Sequence, residues 1–533
     1  MPYSACLHRL HPDSGAANVS GIARIEWPAA DERFVQRLSA CRAPALVTGA
    51  TITTQWAAAT RWADPLYLMA RLPTLEEAFV AEPSEAEDPA RRLATRQADD
   101  ESCDAHEPST AFAPDPSGDA VASLPSSVFF SPHESSPLIY FARWMGFASL
   151  ASLRADVSPQ APLLIADDEG AADTDTDTAA TSPAAVTTAD GADDTAGADD
   201  TAGAERRYFR LGSVGTVSTL HHDQYHNLYA QLVGSKRVWL VPPSAWQHAM
   251  LFPRGHERAR QSPRSPVYSW PAAEAAAAGT VEVVVDEGQL LYIPPYWLHQ
   301  TATTRRSVAV NVWSPSREAQ RSSRTRAHLA DLLYTWLEGP KERALCAAAS
   351  SLRAVAAALC ADRGTIPTDK EAAASAAADD DDDDDASAAA AAAGPAAGAG
   401  APAGACSATA LLRQIYASQH AHLRLASSRR RAAVDATGSP IAAAAAATAA
   451  AATAAAAAGP AAACGWPCAP LTAEEATSAE RLGESVRTLP RGVGELALAE
   501  MAVEAAEAIA AAPPAWLGDK GSARAIHCLL LGP

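Results

Sequence analysis

Long apolar runs are missing from this sequence: once polyalanine is discounted, no stretch of its 533 residues approaches the length of a membrane span. Nor does the N-terminus carry the apolar core that a secretory signal requires. Cysteine is scarce and odd in number, nine scattered residues. Cys464-Gly465-Trp466-Pro467-Cys468 has no second pair at zinc-site spacing, which argues against a structural zinc module. These absences lead us to expect no membrane association and a reduced compartment, cytoplasmic or nuclear. Basic clustering is equally thin. Arg429-Arg430-Arg431 is short enough to read as a solvated helix face, and no basic patch suited to RNA is visible, so nucleic acid is disfavoured as a partner. No Ser-His-Asp or Cys-His grouping suggests a side-chain nucleophile.

What is abundant is low complexity. Residues 167–205 hold twelve acidic residues and no basic one, and Asp379 to Asp385 form a run of seven aspartates. These two segments contain nineteen acidic residues, against a formal net charge of −20, so the rest of the chain is close to neutral. Net acidity therefore says nothing about an active site. With so few large apolar side chains to offset ordering entropy, 167–205 and 371–405 read as disordered inserts. The expected layout is an N-terminal α/β part at 20–160 and the acidic insert at 167–205, followed by a catalytic core at 206–317. A helical extension at 318–370, an acidic and Ala-rich linker at 371–405 and an Ala-rich helical region at 406–533 complete it. The polar stretch 82–120 reads as a long loop within the first part.

From 206 the pattern is that of short strands rich in β-branched and aromatic residues: Tyr208–Leu211, Asn227–Val233, Lys236–Val241, Val281–Val285, Gln289–Ile293 and Ser307–Trp313. Gly234-Ser235 and Asp286-Glu287-Gly288 read as hairpin turns between them. Strands at this spacing predict a mainly β fold with flanking helices, its core a double-stranded β-helix (jelly roll) with several strand ends around one mouth. The helices beyond it either pack on the barrel or form a homodimer interface.

Chemistry concentrates in Leu220-His221-His222-Asp223. Alternation along a strand puts His221 and Asp223 on one face and His222 on the other. His299, after a buried strand and the Pro294-Pro295 turn, supplies a third ligand from a distant part of the chain. Two imidazoles and one carboxylate are the facial set of non-haem Fe(II) sites, with the opposite metal face open. Lys236 sits between the two halves in an apolar strand, where a buried cation requires an anion. Ser218, Asn227 and Asn311 are polar residues placed to face the same cavity.

The segment from His221 through Lys236-Arg237 to Val241-Pro242-Pro243 resembles JmjC-domain (cupin-like) 2-oxoglutarate oxygenases. It is most similar to the hydroxylase branch that includes the factor-inhibiting-HIF asparaginyl hydroxylase. Gly288-Gln289-Leu290-Leu291-Tyr292-Ile293-Pro294-Pro295-Tyr296-Trp297-Leu298-His299 resembles that branch's distal-histidine motif. The likeness covers about 206–317, is thin over 20–160 and is absent from the low-complexity segments. It implies that His221, Asp223 and His299 bind Fe(II), and that Lys236, with Ser218 beside it, holds the distal carboxylate of 2-oxoglutarate. It also implies that Asn227 and Asn311 line the cosubstrate near the metal. Arg260 and Gln261 fall where the asparaginyl hydroxylase grips its substrate, and either Tyr140 or Tyr208 fills the place of a cosubstrate-binding tyrosine.

The activity implied is hydroxylation of a side chain of a protein substrate, with 2-oxoglutarate and O2 consumed and succinate and CO2 released. A histone lysine demethylase or an RNA hydroxylase on the same core is the first alternative, and a non-catalytic cupin acting as a binding module is the second. Chromatin-reading modules are not visible. The first alternative uses the same core, and the presence of all three metal ligands and the lysine argues against the second.

Overall fold

The computed structural model describes residues 22–27, 34–50, 55–81, 121–130, 137–157, 163, 165, 206–252, 260–262, 264, 270–325, 341–361, 408–415, 472–487 and 489–511. The 82–120 loop and both acidic inserts lie outside the described residues, as do residues 326–340 of the expected helical extension.

Among the described residues, eleven strands form one mixed sheet. They are β1 (Ala23–Glu26), β2 (Ala45–Thr48), β3 (Thr74–Ala81), β4 (Val121–Pro125), β5 (Leu138–Trp144), β6 (Arg206–Gly212), β7 (His221–His222), β8 (His226–Val241), β9 (Val281–Asp286), β10 (Leu290–Ile293) and β11 (Leu298–Ser314). The main path runs β1-β2-β10-β8-β11-β6-β5-β3-β4, with β7 paired to β11 and β9 to β8. Two long strands organise everything else. The first half of β8 pairs with β10, its second half with β9, and β11 runs antiparallel along both halves. The long pair therefore belongs to both faces of a folded-over sheet, which is the double-stranded β-helix the strand pattern predicts.

Two expected hairpins are corrected by this arrangement. Gly234-Ser235 does not reverse the chain: β8 continues through it as one strand. Gly234 takes a positive φ of 78°, and the register against β11 slips between Val233 and Ser235. A slip of this kind changes which parity of side chain faces inward. Before it, Asn227 and Tyr229 face the interior while Leu228, Ala230 and Leu232 join the outer core; after it, Lys236, Val238 and Leu240 face inward. The turn at Asp286-Glu287-Gly288 is present, with Gly288 at φ 81°, but β9 and β10 do not pair with each other. It carries the chain from one half of β8 to the other.

Helices cover the outer faces. α1 (Phe34–Ala40) buries Phe34, Val35 and Leu38 at helical spacing. α2 (Ala57–Arg61) and α3 (Pro65–Arg71) pack beside it, α3 starting with Pro65 and capped by Asp64, whose carboxylate accepts from the Leu66 amide at 2.9 Å. Trp56, Trp62, Phe129 and Phe141 join the same core against Phe209 and Leu211. On the other face, α4 (Lys341–Ala361), α5 (Ala473–Arg487) and α6 (Arg491–Ala511) pack together and against Leu220, Val241, Trp246 and Leu298. The C-terminal helices thus cover the back of the strands that carry the histidines. The buried Trp246 Nε1–H donates to Glu495 at 3.0 Å, tying α6 to the segment after β8. Across the molecule, Arg42 pairs with Glu318 at 2.7 Å and its carbonyl accepts from Trp297 Nε1 at 3.2 Å. Cys41 and Cys360 are disulfide-bonded, which the expectation of a reduced compartment did not foresee.

Candidate metal centre

β7 and β11 are adjacent, with His221 opposite His299 and His222 opposite Leu298. This register brings together residues 78 positions apart on inward-facing sites of neighbouring strands. Asp223 follows β7, its carbonyl accepting from the Tyr296 amide at 2.7 Å, so the Pro294-Pro295 turn that precedes His299 is locked to the strand that precedes Asp223. One side-chain ligand atom from each of His221, Asp223 and His299 lies within 4.8 Å of the others, and this is the cluster of that kind found among the described residues. His299 Nε2 is 3.6 Å from Asp223 Oδ2, and the two imidazole centroids are 4.2 Å apart.

The tautomers follow from the neighbours. His221 Nδ1 is 2.8 Å from the Thr219 carbonyl, and His299 Nδ1 is 3.0 Å from the Trp297 carbonyl. A carbonyl only accepts, so each Nδ1 carries the proton and each Nε2 keeps its lone pair for the shared point. Burial first, then the neighbouring His221, pushes the His299 imidazole down to about 4, so it is neutral near pH 7. Burial pushes the Asp223 carboxyl up, but His299, His221, Arg210 and Arg260 together hold it below the ordinary carboxylate value. Two imidazoles and one carboxylate whose ligand atoms converge are a divalent-metal donor set.

His222 turns the other way, as alternation predicts. It stacks on Tyr296 at 5.3 Å, and burial, followed by Arg260, drives its imidazole down to about 3.

The three ligands open onto a cavity between the two faces of the sheet. Lys236 lies in it, 2% exposed, with no carboxylate partner among the described residues. Its Nζ sits 5.3 Å from the Tyr140 ring and 5.5 Å from the Tyr229 ring. Burial, followed by Arg210, lowers its ammonium to about 7. Buried charge without a counter-ion is costly, and a carboxylate entering the cavity would relieve that cost. Ser218 Oγ accepts from the Thr301 amide at 2.9 Å and from Thr301 Oγ1 at 3.1 Å, leaving its own proton to donate. Asn311 Nδ2 donates to Asn227 Oδ1 at 2.8 Å. Apart from Asp223, the cavity therefore offers donors, which suits an anion.

Most of the residues singled out in the sequence come to this place, but Tyr208, Arg260 and Gln261 do not line it. His221, Asp223, His299, Lys236, Ser218, Asn227 and Asn311 line the cavity. Of the two tyrosines, Tyr140 lies against Lys236, while Tyr208 packs on Trp313 at 4.5 Å. Gln261 bridges His221 through the backbone, and its Oε1 accepts from Thr219 Oγ1 at 3.1 Å. Arg260 is beside it, at a positive φ of 66°. Three polar cavity residues escaped the sequence reading, Tyr229, Arg210 and Thr301. Arg210 was legible: it shares its parity with Tyr208 in a strand whose other face, Phe209 and Leu211, is core.

A fold of this topology with this cluster defines a class, and comparison with known proteins agrees. The sequence profile of the family described as "Cupin-like domain" matches residues 31–318, more than half of the chain, and the chain belongs to that family. Over 116 residues it is 35% identical to "Lysine-specific demethylase JMJ30" of Arabidopsis thaliana, covering 21% of this chain and 26% of that protein. Over 106 residues it is 31% identical to "Jumonji C domain-containing protein 5" of Drosophila melanogaster, covering 19% and 26%. It is 35% identical over 106 residues to "tRNA wybutosine-synthesizing protein 5" of Danio rerio, covering 20% and 31%. The matched stretch spans about a quarter to a third of these relatives. Among the described residues no helix is long and apolar enough to cross a membrane.

Proposed function

We propose that this protein is an Fe(II)- and 2-oxoglutarate-dependent oxygenase that hydroxylates a side chain of a protein substrate, as in the hydroxylase branch of the JmjC group. The observation that carries the reading is the convergence on one cavity of the His221–Asp223–His299 donor set and the unpaired, buried Lys236. In this reading the three ligands hold Fe(II). Lys236, with Ser218 and Tyr140, takes the distal carboxylate of 2-oxoglutarate, and Asn227 lines its metal end. Bound together, iron and cosubstrate supply the O2 activation that oxidises a C–H bond while 2-oxoglutarate becomes succinate and CO2. The chain's own residues orient the cosubstrate, and the buried interior keeps bulk water away. Arg260 and Gln261, beside His221, are placed to meet the substrate.

A second reading is favoured by the name of one of the relatives, a lysine-specific demethylase. Hydroxylation of an N-methyl carbon gives a carbinolamine that releases formaldehyde, so the same cavity serves either outcome. The two are separated by incubating the full chain, Fe(II) and 2-oxoglutarate with arrays of unmodified and methyl-lysine peptides. A stable gain of one oxygen atom supports the hydroxylase. Loss of a methyl group with formaldehyde overturns it in favour of the demethylase. The wybutosine relatives make tRNA a third array, and oxygen incorporated only there would refute a protein substrate.

A further inference from the structure

Arg210 reaches into the cavity from β6 and holds two different groups at once. Its Nε donates to Asn311 Oδ1 at 2.8 Å, and its Nη1 donates to the Tyr140 hydroxyl at 2.6 Å. The guanidinium also lies 5.7 Å from the Tyr208 ring and 5.8 Å from the Trp313 ring, which fixes its plane.

The consequence follows from donor and acceptor counting. A guanidinium has five N–H groups and no acceptor, so Asn311 must turn its Oδ1 toward Arg210. Its Nδ2 is then committed to Asn227, which must answer with Oδ1, at 2.8 Å. Asn227 Nδ2 is left as the group facing the cavity. By the same logic the Tyr140 oxygen is occupied as an acceptor, and its single proton is left to donate. Side-chain amides ordinarily have two orientations of similar energy. Here one cation removes that freedom from two amides and a phenol.

We propose that Arg210 is a positioning residue for the anionic cosubstrate. Through Asn311 and Tyr140 it forces Asn227 Nδ2–H and Tyr140 O–H to face the cavity as donors, making the cavity selective for a dicarboxylate. The inference rests on the 2-oxoglutarate reading above.

The test uses the full chain loaded anaerobically with Mn(II), with 2-oxoglutarate titrated calorimetrically into wild type, Arg210→Met, Arg210→Lys, Asn227→Ala and the Arg210→Met/Asn227→Ala double variant. Loss of charge-assisted hydrogen bonding should weaken 2-oxoglutarate about tenfold to a hundredfold in Arg210→Met. Arg210→Lys should fall short of wild type, because one ammonium does not reproduce the fork that holds Asn311 and Tyr140 together. The double variant should lose less than the product of the two single losses, since both remove the same donor. Mn(II) affinity should be undiminished throughout. Wild-type 2-oxoglutarate binding in both Arg210 variants overturns the inference alone. So does a fully multiplicative double variant, which would mean that Arg210 meets the ligand itself, or a parallel loss of Mn(II), which would mean general structural support. Absence of 2-oxoglutarate binding by wild type overturns the oxygenase reading and this inference with it.

Discussion

His221 and His299 face one another across the β7–β11 pair with ring centroids 4.2 Å apart, each holding its Nδ1 against the carbonyl two residues before it. The same i−2 carbonyl contact on both strands holds each imidazole by its Nδ1, and His299 Nε2 lies 3.6 Å from Asp223 Oδ2. A pair of core histidines would have no need of matched tautomers. A metal would.

This separates the roles of the ligands and the lysine. His221→Ala and Asp223→Ala should each abolish tight Fe(II) or Mn(II) binding. Lys236→Ala should keep the metal and weaken 2-oxoglutarate about a hundredfold, the scale of a lost buried charge-assisted contact. Calorimetric titration of metal, then of cosubstrate, checks both halves.

Lys236 also predicts a pH dependence. Its folded value of about 7 is below the ordinary 10.5, so the unfolded chain binds more protons between those two values. The stability of the metal-free, ligand-free protein should therefore gain a contribution as pH rises from about 7 towards 10, and lose it below 7. Binding of 2-oxoglutarate requires the charged lysine, so affinity should fall as pH rises above about 7. Lys236→Met should lose both dependences. Chemical denaturation and ligand titration across this range measure them.

Gly234 is the hinge of β8. A Cβ there would sit 1.9 Å from the Arg306 carbonyl oxygen, and the residue already has φ 78°. Gly234→Ala should cost about 2–4 kcal/mol in urea unfolding, from backbone strain and steric overlap together. Because the slip at Gly234 turns Lys236 inward, 2-oxoglutarate affinity should fall with it.

Trp246 carries the attachment of the C-terminal helices. It is fully buried and bonded to Glu495. Trp246→Phe should leave the buried Glu495 with one partner fewer and cost about 1–3 kcal/mol, while Trp246→Ala adds a cavity and should cost about 3–5 kcal/mol. Thermal unfolding of the two variants distinguishes the contributions.

Much of the site was legible because strand alternation is a local rule. It put His221 and Asp223 on one face, turned His222 away and marked Lys236 and Asn311 as polar residues inside apolar strands. The partnership with His299 depends on the register of β7 against β11, which no local pattern encodes; the distal-histidine motif supplied it by likeness. Gly234-Ser235 was misread because a bulge and a hairpin both call for a residue at positive φ, and the composition of the two is the same. What decides between them is the continuous pairing of β8 with β11, a long-range fact. Arg210 was overlooked for a different reason. A lone arginine in a short strand is usually at a solvated edge; its parity opposite Phe209 and Leu211 marks an inner face, and the pairing of β6 with β5 and β11 puts that face on the cavity.

The measurement that tests the central claim most directly is conversion of 2-oxoglutarate to succinate by the purified full chain with Fe(II) in air, beside His299→Ala. The account predicts Fe(II)-dependent succinate from wild type and none above background from the variant. Wild-type protein that binds neither Fe(II) nor 2-oxoglutarate would contradict it, and the cavity would then belong to a cupin that binds without turnover.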